Sequence, residues 1–243
     1  MVKGLVHTMQ ENTRQMACHT TPRLDALKAA LTGYRMVADI GCDHAYLPIL
    51  LAQEDAAAHF IAADVREGPL LRAKENISRF GLADRIETRL GSGLIPVLPG
   101  ECEAAVIAGM GGSVICNILQ EGETVAKSLK RLVLQPMSAA PELRRFLYEN
   151  GYIITDEILA QEDRRIYTII LAKKGQAVRF TSLDCYISPA LREKRPPLFV
   201  PYAQKLVLQL HAAAEGMRQS KKTHRLLIDY EAILTELEML ISI

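Results

Sequence analysis

The chain has 243 residues, of which 49% are hydrophobic and 23% are charged, and its formal net charge is +1 at pH 7. This length can form one hydrophobic core with a smaller appendage, and no apolar run reaches the roughly 18–20 residues that a membrane span needs. Residues 1–21 lack the apolar region of a secretory signal, and five cysteines without a C-x-x-C spacing indicate reduced thiols. We therefore predict a cytoplasmic protein without a disulfide or zinc framework.

Strands and helices alternate through residues 22–174. The predicted helices are 23–31, 46–53, 69–80, 113–120 and 140–150, and the predicted strands are 37–40, 60–63, 85–90, 104–108, 131–134, 152–159 and 165–172. The last two strands are too close together for a crossover helix, so we predict that they are antiparallel. The alternation predicts an α/β fold, a doubly wound, Rossmann-like sheet with a largely parallel core.

The pattern changes after residue 174. Four prolines predict a connector over 179–201, and leucines at helical spacing predict that residues 203–243 form two long helices in a hairpin or antiparallel coiled coil. Residues 173–225 contain 11 Lys or Arg and 3 Asp or Glu, a net charge of +8. This charge suits a polyanion-binding appendage over 175–243, although a solvated helix face explains it equally well.

Two predicted strands end in carboxylates. The first ends in Asp39-Ile-Gly41-Cys-Asp43, and the second ends in Asp64, where nucleotide-binding βαβ units hold ribose hydroxyls. Two carboxylates in the first turn would repel the pyrophosphate of a dinucleotide but attract a ligand with an ammonium and a sulfonium. The pattern predicts S-adenosylmethionine as the ligand and disfavours nicotinamide or flavin dinucleotides. An ordinary strand-turn cap is the alternative.

The first two strand ends provide half of the predicted donor site. We assign Asp39 and Asp43 to the methionyl amino group, Gly41 to backbone clearance and Asp64 to the ribose hydroxyls. His44 either binds the methionyl carboxylate or begins the following helix.

Two later strand ends complete the predicted donor site. Ser92 and Gly93 are expected beside the adenine, and Met110 near the methyl group or the ring. Gly109 and Gly111 allow a close backbone approach to the donor or the acceptor base. Because ligands of doubly wound sheets bind at the carboxyl ends of the strands, all these residues should meet along one edge.

Several segments resemble signature blocks of one family. Residues 39–48, 106–112 and 134–136 are similar to blocks of the bacterial tRNA (adenine-N1)-methyltransferases that act on adenosine 22, and 162–167 resembles a further block. The resemblance runs from Pro22 to the C-terminus. It implies a class I methyltransferase domain over 22–174, S-adenosylmethionine as donor, and a C-terminal helical domain that helps to hold tRNA. Residues 1–21 form an extension outside it.

One residue departs from the family pattern. Met137 stands where the family often has asparagine after Gln-Pro, so a polar contact to the target base is missing or supplied elsewhere.

The acceptor chemistry is expected to need little acid–base help, because adenine N1 already carries a lone pair and positioning provides most of the acceleration. Enzymes that methylate the exocyclic amine of adenine commonly present an Asp/Asn-Pro-Pro-Tyr/Phe loop at the fourth strand end. Here Gly109-Met-Gly-Gly has no side chain to accept from an amine, which disfavours N6 as the target. N1 lies on the Watson–Crick edge, so the base must be unpaired or unstacked.

Three residues are predicted to act on the target base. Asp163 would stabilise the cationic product, Gln135 would orient the base and Tyr167 would stack on it. The alternative roles are a turn cap for Asp163, a hydrogen bond at a strand end for Gln135 and a core aromatic residue for Tyr167. Arg23 would either reach the methionyl carboxylate or lie at the surface.

The favoured function is therefore an S-adenosylmethionine-dependent methyltransferase acting on N1 of an adenine in tRNA. The alternatives are a class I methyltransferase with another acceptor (another RNA, a protein or a small molecule) and a non-catalytic nucleoside-binding module. We predict that tRNA contacts the basic segment 173–225, that no metal or membrane takes part, and that the protein is a monomer or weak dimer.

Overall fold

The structure is a computed structural model that describes residues 20–176, 179–219 and 225–242. The N-terminal extension predicted over 1–21 lies almost entirely outside the described residues. The strands are β1 Met36–Ile40, β2 His59–Asp64, β3 Ile86–Leu90, β4 Ala104–Gly111, β5 Arg131–Ser138, β6 Tyr152–Glu162 and β7 Arg165–Lys174. The described helices are α1 Pro22–Leu31, α2 Tyr46–Glu54, α3 Glu67–Arg79, α4 Gly112–Glu121, α5 Glu123–Ser128, α6 Ala140–Glu149, α7 Ser182–Tyr186, α8 Pro189–Lys194, α9 Phe199–Gln219 and α10 Arg225–Ser242.

The strands form one sheet in the order β3-β2-β1-β4-β5-β7-β6. The first five strands are parallel to one another, whereas β7 is antiparallel to both β5 and β6. The chain moves outward from β1 to β3 and then returns to place β4 on the other side of β1. Ligands of doubly wound sheets bind where the strand order reverses in this way, so the sheet topology points to the carboxyl ends of β1 and β4.

The sheet buries both of its faces, as a doubly wound fold requires. Val37 of β1 packs with Leu27, Leu31 and Ile49 from α1 and α2. The next residue, Ala38, belongs to the core on the opposite face. The α4 and α6 residues of that second core are Ile115, Ile118, Leu119, Leu143 and Leu147. Side chains alternate between the faces of a strand, so these two cores hold the ends of β1 and β4 rigidly between them.

The end of β4 differs from the prediction. The sequence predicted a strand ending at residue 108 and a glycine turn before the helix. The strand instead continues to Gly111, with irregular pairing to β5 at Ala108–Met110 and Met110–Gly111, and α4 begins at the next residue. A Cβ atom on Gly112 would lie only 2.2 Å from the backbone oxygen of Ala139. Glycine is therefore required there because the β5–α6 connection packs directly against its backbone.

The C-terminal helices form a third core beside the sheet. The predicted connector over 179–201 contains two short helices, α7 and α8, and the two long predicted helices are α9 and α10. Leu206 and Leu210 of α9 pack with Ile233 and Leu237 of α10, as the helical spacing predicted, whereas Leu208 is 71% exposed. None of the helices in the described ranges combines the length and apolar character needed to cross a bilayer.

A buried ion pair joins these helices to the sheet. Arg144 of α6 donates from Nε to Glu157 Oε1 at 2.7 Å, and neither side chain is exposed to solvent. The same guanidinium donates from Nη1 to the backbone oxygen of Cys185 at 3.0 Å and from Nη2 to Tyr202 Oη at 3.1 Å. Because Cys185 lies on α7 and Tyr202 on α9, one arginine fixes the C-terminal helices against β6.

Candidate active site

A cavity of about 790 Å³ opens at the carboxyl ends of β1, β2 and β4, where the topology places a ligand. Nine of the ten residues predicted to bind the donor line it. They are Asp39, Gly41, Asp43, His44, Asp64, Ser92, Gly93, Gly109 and Met110. The tenth, Gly111, is absent from the lining and ends β4 beside Ser138.

Two buried carboxylates face this cavity. Asp39 and Asp64 end neighbouring parallel strands, and only 8% and 5% of their surfaces are exposed. Burial, with a smaller contribution from the charge of Asp64, raises the pKa of Asp39 to about 7. Asp64 Oδ1 accepts a hydrogen bond from the backbone N–H of Arg66 at 2.9 Å. Asp39 has no cationic partner among the described residues, and Asp64 has only the exposed Arg66 guanidinium, with Nε 3.8 Å away, so the site favours a positively charged ligand.

The loop between β1 and α2 is held in an uncommon conformation. Gly41, Asp43 and Ala45 all have positive φ values, of 77°, 46° and 56°. A Cβ atom on Gly41 would lie 2.1 Å from the Met110 Cε atom, so a side chain there would displace the end of the Met110 side chain. Strained backbone of this kind is typical of ligand-binding sites, where the surrounding packing maintains it.

Asp43 differs from Asp39 in its surroundings. Its side chain is 58% exposed, and its carboxylate lies 3.4 Å from Arg72 Nη2 and 3.7 Å from His44 Nε2. The sequence assigned both carboxylates to one ligand group. The structure places Asp39 inside the cavity and Asp43 at its rim, where solvent and Arg72 weaken its pull on a ligand.

His44 lines the cavity but does not begin the helix, because α2 starts at Tyr46 and Ala45 is its N-cap. Its ring stacks on Tyr46 with centroids 5.3 Å apart, and its backbone oxygen accepts a hydrogen bond from Asn76 Nδ2 at 3.0 Å. The neighbouring Cys42 is buried, and burial raises the pKa of its thiol, which agrees with a packing role.

Sequence reasoning missed one wall of the cavity. Val114 and Ile118, four residues apart on α4, line it together with Met110 of β4. That interval places side chains on one face of a helix and could have revealed the wall. A Cβ atom on Gly93 would lie 3.0 Å from Ile118, so the apolar wall packs directly against the loop that follows β3.

Arg23 connects the donor cavity to the last strands of the sheet. Its side chain lines the cavity, and Nη1 donates to Gln135 Oε1 at 3.1 Å. Nε donates to Glu162 Oε2 at 3.3 Å, and Cζ lies 5.4 Å from the centroid of the Tyr167 ring. The guanidinium therefore binds two of the three residues predicted to act on the base. Arg23 therefore does not lie free at the surface, which was one of the two predicted alternatives.

Gln135 is completely buried, and its amide is fully occupied. Oε1 also accepts from the Gly109 backbone N–H at 3.1 Å, while Nε2 donates to the Pro136 oxygen at 3.1 Å and lies 3.5 Å from Met137 Sδ. The sequence predicted that Gln135 orients the base directly. In this arrangement Gln135 acts through the groups that it holds, so it is a positioning residue.

Asp163 lies in the turn between β6 and β7. Its φ of 52° is left-handed, its side chain is exposed, and its backbone oxygen accepts from Gln161 Nε2 at 3.1 Å. It is not among the residues that line either of the two described cavities. This position favours the turn role, which was the predicted alternative, because Asp tolerates left-handed backbone.

Tyr167 is half-buried and lines a second cavity of about 750 Å³, between the β6–β7 hairpin and the C-terminal helices. Because Arg23 lies over its ring, Tyr167 stands between the two cavities. The alternative of a core aromatic residue does not fit this position. Among the described residues, no group of three or more His, Cys, Asp or Glu side chains could hold a metal ion.

Comparison with known proteins gives the family. A family profile of the methyltransferase domain matches residues 20–170. The tRNA (adenine(22)-N(1))-methyltransferase of Bacillus subtilis (strain 168) is 32% identical over 226 residues, which cover 88% of this chain and 94% of that protein. The chain belongs to the bacterial tRNA (adenine-N1)-methyltransferase family.

Solved structures of the methyltransferase family support the same assignment. The crystal structure of the Bacillus subtilis tRNA methyltransferase TrmK matches with a TM-score of 0.81 and 29% identity, covering 93% of this chain and all (100%) of that one. A Streptococcus pneumoniae structure in complex with S-adenosyl-L-methionine matches with a TM-score of 0.79 and 29% identity, over 92% of this chain and 100% of that one. The predicted family and the predicted fold class are confirmed.

Proposed function

We propose that the protein transfers a methyl group from S-adenosylmethionine to N1 of an adenine in tRNA. The observation that carries this proposal is the pair of buried carboxylates, Asp39 and Asp64, in a cavity at the switch point of the sheet. The Bacillus subtilis relative bears this activity in its name, and the Streptococcus pneumoniae relative binds this donor.

The cavity suits the donor in charge and shape. S-adenosylmethionine supplies an activated methyl group on a positively charged sulfur and carries an ammonium group. We assign Asp39 to the cationic methionyl end and Asp64 to the ribose hydroxyls, and Arg66 orients the Asp64 carboxylate through its backbone N–H. Val114 and Ile118 form the apolar wall on which an adenine ring packs.

The end of β4 leaves room for the acceptor. Gly109 has a φ of 76°, and a Cβ atom built on it would meet nothing within 4 Å. Its backbone N–H is held by Gln135, so the open space lies beside a fixed strand end. Methylation at N1 requires no base to remove a proton, and a rigid, open strand end supplies the positioning that the reaction needs.

The structure offers a different carboxylate from the one predicted for the acceptor side. Glu162 Oε2 is bound by Arg23, while Glu162 Oε1 is buried without a hydrogen-bond partner among the described residues. Glu162 is adjacent to Asp163 but lies on β6 rather than in the turn. Glu162 lines neither described cavity itself, so we propose that it acts through Arg23, as the residue that positions this guanidinium beside Tyr167.

The proposal also includes the domain boundaries, the tRNA-binding segment, the location and the oligomeric state. Residues 22–174 form the donor-binding catalytic domain and 175–243 the helical domain that contacts tRNA, the division following the end of β7 at Lys174. Basic residues within 173–225 contribute to tRNA binding. The enzyme works in the cytoplasm, without a metal, as a monomer or weak dimer.

The test is incubation of the purified protein with labelled S-adenosylmethionine and unmodified bulk bacterial tRNA, followed by mass spectrometry of the nucleosides. We expect N1-methyladenosine, lost in Asp39→Ala and retained in large part in Asp43→Ala, whose carboxylate is at the exposed rim. Donor binding without transfer to any RNA would support the non-catalytic alternative. Transfer to a protein or small molecule alone would support a different acceptor.

A further inference from the structure

The second cavity lies on the acceptor side of the enzyme, and we call it the tyrosine groove. It is lined by Met137 from the end of β5, by Arg165 and Tyr167 from β7, by Tyr186 from α7, by Lys205 from α9 and by Tyr230 from α10. Its volume of about 750 Å³ falls within the range of about 300–1,000 Å³ typical of small-ligand sites. The groove is therefore large enough for a nucleotide.

Three half-buried tyrosines line the groove: Tyr167, Tyr186 and Tyr230. Tyr186 and Tyr230 share a side-chain hydrogen bond, which fixes their rings relative to each other. Aromatic rings that are fixed and partly accessible are the platforms on which nucleic-acid bases stack, whatever the base. The tyrosine groove therefore offers the apolar half of a nucleotide site.

Free cations supply the other half. Within the described ranges, the side chains of Arg164, Arg165 and Lys205 are exposed and form no ion pair or hydrogen bond, and all three line the groove. Several other described cations of the C-terminal unit are occupied. They are Arg192 with Asp184, Lys194 with Asp156, Arg195 with the Leu240 oxygen, and Arg218 with Glu215 and Glu231. Glu142 is the acidic residue in the groove lining, so the local charge stays positive.

The groove lies next to the donor cavity, separated from it by the contact between Arg23 and Tyr167. Arg23 lines the donor cavity and lies over Tyr167, which lines the groove. Gln135 lies between the two as well, holding Gly109 on one side and Met137 on the other. The groove is therefore adjacent to the end of β4, where the target base is expected.

We propose that the tyrosine groove binds a nucleotide next to the target adenine in the tRNA, with its base stacked on the tyrosines and its phosphate bound by Arg164, Arg165 and Lys205. This inference rests on the proposed function and adds a subsite to it. It moves part of the tRNA contact away from the predicted segment 173–225, because Arg164 and Arg165 lie on the β6–β7 hairpin. The groove binds the RNA strand while the neighbouring target adenine occupies the active site.

The test measures the affinity of the protein for an unmodified tRNA transcript over a series of salt concentrations. Arg165→Ala/Lys205→Ala is expected to weaken binding at least 10-fold and to lower the slope of log Kd against log salt by about 1–2, one phosphate contact accounting for about 0.7–0.9. The matched control is Lys74→Ala/Arg79→Ala, two exposed, unpaired cations on α3 beside the opposite end of the sheet. This control should leave the affinity within twofold of the wild type and the slope unchanged.

A second pair of variants tests the stacking. Tyr230→Ala should weaken tRNA binding roughly 10-fold, whereas Tyr230→Phe, which keeps the ring, should bind within about twofold of the wild type. The affinity for S-adenosylmethionine should stay unchanged in every variant, which shows that the fold is intact.

Two outcomes separate this inference from the proposed function. If the wild type methylates tRNA and Arg165→Ala/Lys205→Ala keeps both its tRNA affinity and its salt slope, the groove proposal is wrong and the proposed function stands. If the wild type binds the donor but neither binds nor methylates tRNA, the proposed function fails, and this inference fails with it.

Discussion

Asp39 and Asp64 end adjacent strands with their carboxylates buried, and the charge of Asp64 helps to raise the pKa of Asp39 to about 7. A folded protein gains nothing from two buried acids side by side. The arrangement becomes favourable when a cationic ligand lies between them. The buried carboxylates therefore destabilise the protein without a ligand, and binding of the cationic donor removes this destabilisation. Two predictions follow from this relationship.

The affinity for S-adenosylmethionine should depend on pH. Below about pH 7 Asp39 takes up a proton and loses its attraction for a cation, so Kd should rise as the pH falls, by at most tenfold per unit. Calorimetric titration between pH 5.5 and 8.5 measures this effect. In Asp39→Asn the affinity should be weak and far less dependent on pH. A wild-type Kd that stays constant across this range would contradict the assignment of Asp39.

Asp39→Asn should also make the unliganded protein more stable. Since folding raises the pKa of Asp39 from 3.8 to about 7, its contribution to stability is fully present below pH 3.8 and is lost as the pH rises to about 7. Removing the charge should therefore stabilise the protein by up to about 4 kcal/mol at pH 8 and by less at pH 5. Urea unfolding at both pH values gives the comparison. Equal gains at both would show that the acid titrates normally.

The buried pair of Arg144 and Glu157 should be critical for attachment of the C-terminal helices. Arg144→Met leaves Glu157 charged and unpaired in the core, which costs about 3–5 kcal/mol. Tyr202→Phe, the matched control, removes one hydrogen bond to the same guanidinium and should cost only about 1 kcal/mol. Urea unfolding of both variants provides the test. A similar small loss in the two would mean that the ion pair contributes little.

Adjacent acids on the β6–β7 hairpin should behave differently. Glu162→Gln removes the charged partner of Arg23 and should lower kcat/KM for tRNA about 10-fold or more, with donor affinity unchanged. Asp163→Gly removes the carboxylate but introduces a residue that adopts left-handed backbone easily. The activity of this variant should therefore stay within twofold of the wild type. Steady-state kinetics on one tRNA transcript compares them. A large loss in Asp163→Gly alone would restore the role predicted for Asp163.

The sequence was sufficient for the sheet and for bringing most of the predicted donor residues to one cavity, because both depend on short-range patterns. Strand ends marked by Gly41 and Asp64 converge automatically once the strands are parallel. The acceptor side was harder to predict, because it depends on contacts between distant residues. Arg23 meets Glu162 across 139 positions of sequence, and no local pattern separates the strand residue Glu162 from its turn neighbour Asp163.

The sequence pattern also could not predict how side chains from distant segments pack together. Gln135 was correctly placed at a strand end, but its burial and its four contacts follow from the meeting of α1, β4 and β5. The tyrosine groove combines residues from β7, α7, α9 and α10, which no single segment reveals. Charge counting along the chain drew attention to 173–225, although ion pairs already occupy several of its cations.

The most direct test of the proposed reaction uses two tRNA transcripts that differ only at position 22, the site in the name of the Bacillus subtilis relative. The protein is incubated with each transcript and S-adenosylmethionine, and N1-methyladenosine is counted by mass spectrometry. We predict close to one N1-methyladenosine per transcript with adenine 22 and none with guanine 22. Equal methylation of both transcripts, or a product methylated at N6, would contradict the assignment.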